Sequence, residues 1–476
     1  MRIHLVLLAA LVAGFAAAQQ ADSSAPTFRP RRWFGDHMVL PANTSVPITG
    51  VGAPGAAVTV RGSWGAAASG TVDGAGTWRC ELATPGRGGP FEVTLASGDA
   101  ALVLHDVLAG DVWLCSGQSN MVMQVGPGPT SKRGVQDWQQ EVAAADLPQL
   151  RMFTVARRTA NAPVDDVDGA WQVASPTTAA QFSAVAFFFG RELLRHDETP
   201  LGLVVSAWGG TVCEAWTSAA GLADFPEFAA AIAQLDAATA ADPKQPNRAT
   251  VLWNGMIAPL RRFPFTGVIW YQGESNHTRP AQYARLFPAM IADWRRGLGR
   301  ELPFYFVQIA PYRYPDDRDD QVALLRAAQA AALSLPGTGM VVTLDCGEPA
   351  DIHPIRKQPV GERLARLALA RHYGKPVPCD GPRPTGVQRQ GASLRIRFDA
   401  ADGGLVLDPA AAGFEVAAAD GRFVAATARE DDGAIVVSSP DVAEPVSVRY
   451  AWSSAPGSSL QNGAGLPAAP FRASIE

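Results

Sequence analysis

The chain has 476 residues, with 40 lysines and arginines against 45 aspartates and glutamates, a formal net charge of −5, and 47% apolar residues. That length predicts two or three domains, and the apolar share supplies a large core. Mild acidity without a basic cluster argues against a nucleic-acid partner.

Met1-Arg-Ile-His carries one cation into an apolar run from Leu5 to Phe15, and Ala16-Ala-Ala18 then offers a small-residue cleavage site. This pattern predicts a secretory signal over residues 1–18, too short to span a bilayer as a mature helix. Its removal takes only Arg2 among the charged residues and leaves a net charge of −6. No later run of about 18 apolar residues follows, so the expected product is exported, secreted or periplasmic, with no membrane span. From 25 to 109, short alternating runs such as Ala57-Val-Thr-Val-Arg61 and Phe91-Glu-Val-Thr-Leu95 are punctuated by Gly, Pro and Asn. They predict an N-terminal β-sandwich domain.

The period changes at residue 110. Strand-like runs at 112–115, 202–207, 267–271, 304–309 and 340–344 alternate with amphipathic, helix-length segments at 184–196, 283–298, 322–334 and 360–373. Strands apolar on both faces, alternating with helices, predict an α/β domain over 110–376 with a mostly parallel sheet. Its ligand crevice is expected beyond the carboxyl ends of the strands. The Ala/Asp-rich stretch 229–246 reads as a helix and loop without chemistry. From 377 to 476 the strand pattern returns as a C-terminal β domain. Five cysteines, Cys80, Cys115, Cys213, Cys346 and Cys379, are widely spaced and form neither a disulfide framework nor a CxxC pair. No histidine shows metal-ligand spacing, so neither metal nor cofactor is expected.

Four strand ends carry the candidate chemistry. The first apolar strand runs into Gly117-Gln-Ser119-Asn120, which presents Ser119 as a nucleophilic hydroxyl with the backbone amide after the turn aimed back at the reacting oxygen. The plainer use of such a serine is a turn or helix cap. The second strand ends in Trp208-Gly209-Gly210-Thr211, where a glycine amide is an oxyanion donor or part of an ordinary β-to-α turn. The third ends in Gln272-Gly-Glu274-Ser-Asn276. Gln272 reads as a second oxyanion donor or a satisfied structural amide. Glu274 reads as a rim carboxylate, an orienter of the histidine or a substrate contact, and Asn276 is a further substrate-contact candidate. The fifth strand leads to Asp345 and then Asp351-Ile-His353-Pro354, which fits a general base, His353, and an orienter, Asp351, accepting from Nδ1–H. His277 is the rival base. Trp208, Trp216, Trp270 and Tyr271, near the strand ends, are sugar platforms or core.

The chain resembles the sialate O-acetylesterase (SASA) family of the SGNH-type hydrolases, nearly end to end. The match runs through Gly110-Asp-Val-Trp113, Ser116-Gly-Gln-Ser-Asn-Met121, Trp208-Gly-Gly-Thr211, Trp253-Asn-Gly-Met256, Trp270-Tyr-Gln-Gly-Glu-Ser-Asn276, Asp351-Ile-His-Pro354 with Lys357-Gln358, and Tyr450-Ala-Trp452. The resemblance implies a flavodoxin-like SGNH hydrolase domain flanked by β-sandwich-like domains. It also implies hydrolysis of an acetyl ester on a sugar or glycan, with Ser119 as nucleophile and His353 as base. Ser119 N–H, a Gly209 or Gly210 N–H and the Gln272 side chain would form the oxyanion hole. The wider group usually carries its acid three residues before the histidine and an asparagine in the third block. Here the acid is two residues before and Gln272 stands in the asparagine's place, which leaves Glu274 as an alternative to Asp351 and Asp345 as a weaker one. The sialate 9-O-acetyl ester is the expected substrate, with acetylxylan or another acetylated polysaccharide as the alternative. The rival classes are a carbohydrate-binding protein with a vestigial hydrolase site, and a lipase or peptidase, although no apolar lid segment is evident. Oligomeric state has no signature in the sequence.

Overall fold

A computed structural model describes residues 27–318, 320–408 and 413–475. The expected secretory signal, residues 1–18, lies outside the described residues. At the centre, the long strand Ala100–Gly117 is flanked by two parallel strands, Leu201–Ala207 and Gly267–Tyr271. The sheet continues in parallel through Leu147–Thr154 on one side and through Phe304–Val307 and Thr338–Val341 on the other. Trp171–Ala174 closes one edge, antiparallel to Leu147–Thr154.

Period-two alternation places the apolar residues of these strands in two cores, because successive side chains leave opposite faces of a sheet. Trp113, Cys115, Ile269, Tyr271, Tyr305 and Val307 are buried with helices Ala184–His196 and Gln358–Arg371. Val112, Leu114, Val268, Trp270, Phe304 and Phe306 are buried with helices Pro280–Leu298 and Gln321–Ala331. The helix expected at 283–298 thus begins three residues earlier, with Pro280 in the first turn, where its missing N–H has no partner to lose. Two strands, Leu147–Thr154 and Trp171–Ala174, were not expected.

The boundary expected at residues 109 and 110 falls inside one uninterrupted strand. The first half of Ala100–Gly117 pairs antiparallel with Gly88–Ser97 and parallel with Val39–Pro41, while its second half is the middle strand of the α/β sheet. A three-stranded sheet, Arg29–Pro30, Ser45–Val51 and Thr77–Ala83, covers this N-terminal part. Val46, Ile48 and Trp78 of that layer are buried in the same core as Val58, Val60, Val93 and Leu95 of the other. Beyond Arg383 the chain forms two four-stranded antiparallel sheets and a two-stranded one. All five cysteines are free, and four of them are buried. Among the described residues no helix is long and apolar enough to cross a membrane, and no group of His, Cys, Asp or Glu could hold a metal ion.

Candidate active site

The three central strands stop at one level, and their exits form the site. Gly117 leaves the serine strand at φ +139, with the Tyr271 carbonyl oxygen 2.1 Å from where a Cβ would sit, so no side chain fits there. The Gln118 N–H donates to that carbonyl at 2.9 Å. The Gln118 side chain is buried and accepts at 3.3 Å from the N–H groups of both Gly273 and Ser275, tying the serine turn to the loop after the glutamine strand. Ser119 opens the single helical turn Ser119–Val122 and is half-buried. Gly209 packs against it: a Cβ there would lie 3.2 Å from the Ser119 Cβ. Trp208 N–H donates to Gly117 O at 3.1 Å, whereas the N–H groups of Ser119, Gly209 and Gly210 have no hydrogen-bond acceptor among the described residues.

His353 lies in the loop after the last parallel strand. Its Nε2 is shielded from solvent and has no hydrogen-bond partner. Burial, and then the nearby Lys357 ammonium, hold its pKa below the usual histidine value, while Asp351 pulls the other way. No hydrogen bond joins Asp351 to the imidazole among the described residues, which corrects the expected geometry. Instead Asp351 Oδ1 accepts from the His353 backbone N–H at 2.9 Å and Oδ2 from Arg133 at 2.7 Å. The carboxylate shapes the loop that carries His353. Asp345 is also committed elsewhere, in a paired contact with Arg363 at 2.7 Å. His277 is committed too, through Nδ1 to the Glu274 carbonyl at 2.8 Å and Nε2 to Asp316 at 3.0 Å.

The glutamine strand end differs most from expectation. Gln272 is fully buried, and its amide donates to Thr211 O at 3.1 Å and to Asn276 Oδ1 at 2.7 Å, while Tyr283 donates to its Oε1 at 3.1 Å. Both N–H bonds are used, so in this arrangement Gln272 is a satisfied structural amide with no donor left for an oxyanion. Asn276 is likewise fully buried: Oδ1 also accepts from Cys213 N–H at 2.9 Å, and Nδ2 donates to Glu214 at 3.0 Å. It is a joint between the glycine loop and the glutamine loop, out of a substrate's reach. Glu274 does not touch the histidine. Its Oε1 accepts from Asn120 Nδ2 at 2.6 Å, its Oε2 has no partner, and burial raises its pKa.

Asn120 brings the Ser119 turn and the His353 loop together. Beside Glu274, its Nδ2 donates to the Ile352 carbonyl at 3.1 Å, so the neighbours of Ser119 and of His353 are hydrogen-bonded to each other. Its Oδ1 accepts from Lys357 at 2.7 Å. No hydrogen bond links Ser119 Oγ to His353 here.

A family model described as "Carbohydrate esterase, sialic acid-specific acetylesterase" matches residues 109–370. The chain belongs to this SASA family. Sialate O-acetylesterase of Mus musculus is 33% identical over 446 residues, covering 80% of this chain and 81% of the mouse protein. That of Homo sapiens is 34% identical over 409 residues, covering 77% and 76%. Among solved structures, a carbohydrate acetylesterase from Xanthomonas citri, XAC1771, superposes with a TM-score of 0.85 at 36% identity, covering 94% of this chain and 100% of that one. The protein is accordingly a carboxylic ester hydrolase.

In this SASA esterase, three of the four aromatics near the strand ends, Trp216, Trp270 and Tyr271, are fully buried core. Trp208 alone is partly exposed, with the Arg157 guanidinium 5.7 Å from its ring. A cleft of about 460 Å³ is lined by Arg31, Arg261 and Arg262 and holds none of these groups. Sequence reasoning gave no side-chain role to Lys357 or Gln118, and read Asn120 only as a residue that tolerates the tight backbone of the serine turn. Lys357 lies between Arg356 and Gln358, and Gln118 and Asn120 flank Ser119, so local sequence gives no sign that these side chains are buried; only the fold brings their partners within reach.

Proposed function

We propose that this esterase hydrolyses O-acetyl esters on sugars through an acetyl-enzyme, with Ser119 as nucleophile and His353 as general base. The observation that carries the reading is the Asn120–Ile352 hydrogen bond, which holds an unbonded serine hydroxyl and a shielded, unpartnered imidazole nitrogen on adjoining loops. His353 Nε2 takes the Ser119 proton as Oγ attacks the acetyl carbonyl. The N–H groups of Ser119 and Gly209, with Gly210 beside them, stabilise the tetrahedral oxyanion. Collapse breaks the ester C–O bond, and the sugar oxygen leaves with the proton from His353. Water repeats the sequence, releasing acetate and regenerating Ser119. Asp351 fixes the histidine loop through its backbone, and its charge favours the imidazolium that forms.

The relatives' names favour a sialate acetyl ester as substrate, with acetylxylan as the alternative, and Trp208 is the aromatic placed to contact the sugar. The signal over residues 1–18 supports export, with the cut after Ala18; N-terminal sequencing of the protein made in a secreting host checks it. Acetate release is measured for the parent, Ser119→Ala and His353→Ala on acetylated sialosides and xylo-oligosaccharides. Each variant should lose several orders of magnitude in kcat, because the members of such a unit act together. Near-parental turnover by Ser119→Ala would overturn the assignment.

A further inference from the structure

Lys357 stands just before helix Gln358–Arg371 and is almost completely buried. Its ammonium donates to Asn120 Oδ1 and to the Pro354 carbonyl, both at 2.7 Å, and lies 5.8 Å from the centre of the Tyr271 ring. Asn120 is fully buried and uses its amide nitrogen on Glu274 Oε1 and the Ile352 carbonyl. One asparagine side chain therefore joins three segments: the serine turn it belongs to, the loop after the glutamine strand, and the histidine loop. Ser119 and His353 are each covalent neighbours of this joint.

Such an arrangement is an expensive way to fill space. A buried cation and a buried carboxylate lose their hydration, and apolar residues of similar volume commonly serve stability as well or better. A methionine at 357 would pack with the same reach. What it would not do is supply an N–H to Asn120, leaving that amide free to turn and the two loops uncoupled. We propose that Lys357 is a positioning residue whose ammonium, acting through Asn120, holds the Ser119 turn and the His353 loop in register with each other and with Glu274. This inference rests on the reading of Ser119 and His353 given above.

The charge has a second consequence. Burial draws the Lys357 pKa down to about 7, against the attraction of Glu274, Cys346, Asp351 and Glu348. On the acid side of neutrality, where His353 titrates, the ammonium is present and disfavours a second cation beside it. The groups that face His353 are Lys357 and Asp351, with opposite signs. Removing Lys357 therefore raises the His353 pKa, and the acid limb of kcat/KM moves to higher pH. A residue that only packed would leave that limb where it is.

The test uses the full enzyme with p-nitrophenyl acetate and compares the parent, Ser119→Ala, Lys357→Met and the charge-neutral double variant Lys357→Met/Glu274→Gln, with thermal melts to confirm folding. Expected for the folded lysine variants is a fall in kcat of about 10²-fold, as for a small misplacement of reacting groups. KM should change far less, and the acid limb should shift upward. The double variant removes both buried charges and serves if the single one does not fold. A folded variant with parental kcat and an unmoved limb overturns the proposal, and failure of both to fold overturns it in favour of a purely structural lysine. Persistent activity in Ser119→Ala instead removes the acyl-enzyme reading beneath it, an outcome the lysine variants cannot mimic.

Discussion

Two charges of opposite sign flank the imidazole of His353, and they give separable predictions. Burial and Lys357 favour its neutral form, the form the proposed proton transfer from Ser119 requires. The acid limb of kcat/KM in the parent enzyme should therefore lie below the ordinary histidine value of 6.5. A pH profile on an acetyl ester that does not itself ionise measures it, and a midpoint above that value would contradict the assignment. Asp351→Asn removes the anion that raises the His353 pKa, so the same limb should move further down in pH while kcat falls about tenfold or more, because the imidazolium of the proposed mechanism loses its counter-charge. Glu274→Gln leaves that counter-charge in place and should move the limb much less, which separates the two carboxylates that the sequence left open. Ser119 and His353 stand out in the sequence because each follows an apolar strand at the edge where α/β sheets bind ligands. The state of Gln272 does not, since its partners Thr211, Asn276 and Tyr283 are remote or unpatterned along the chain and only the fold brings their atoms within reach.

Among the elements, the central strands and main helices could be read because each is a long apolar or amphipathic run. Strand Leu147–Thr154 could not, and Arg151 explains why. A cation inside a strand reads as surface, yet Arg151 is buried, with its guanidinium on both carboxylate oxygens of Asp106 at 2.6 and 3.1 Å and on the Pro148 carbonyl at 2.9 Å. Helix packing also bears on the site. Gly361 of helix Gln358–Arg371 lies against helix Ala184–His196 so closely that a Cβ would fall 2.5 Å from the Phe188 Cβ and 2.7 Å from the Phe189 nitrogen. Gly361→Ala must therefore push the helices apart. Overpacking of this kind costs about 1–3 kcal/mol. Lys357 sits one turn before Gly361, so the displacement should reach Asn120. The expected result is a lower Tm together with reduced kcat at nearly unchanged KM, whereas a drop in Tm alone would show that the helix shift does not reach the site.

On the scale of the whole molecule, the β domains and the α/β domain are bound more tightly than their sequence patterns suggest. Ala100–Gly117 belongs to the N-terminal β structure in one half and to the catalytic sheet in the other, so neither unit can open without breaking the ladder of its neighbour. At the other end, Arg326 on helix Gln321–Ala331 is fully buried without a carboxylate hydrogen-bonded to it. It donates to the carbonyls of Ile309 at 3.0 Å and Ala310 at 3.1 Å within the catalytic domain, and to those of Ser453 at 2.7 Å and Ser454 at 2.8 Å in the C-terminal β domain. Arg326→Met would leave these buried acceptors with one donor source fewer, at about 1–3 kcal/mol for each carbonyl that finds no other partner. The expected effect is a Tm lower by roughly 5–10 °C. In the parent, calorimetry should find one cooperative transition, because the shared strand couples one end and the buried arginine the other. Arg326→Met should then split off a lower-temperature transition belonging to the C-terminal β domain. Two resolved transitions already present in the parent would mean that the shared strand and the arginine do not transmit stability between the parts.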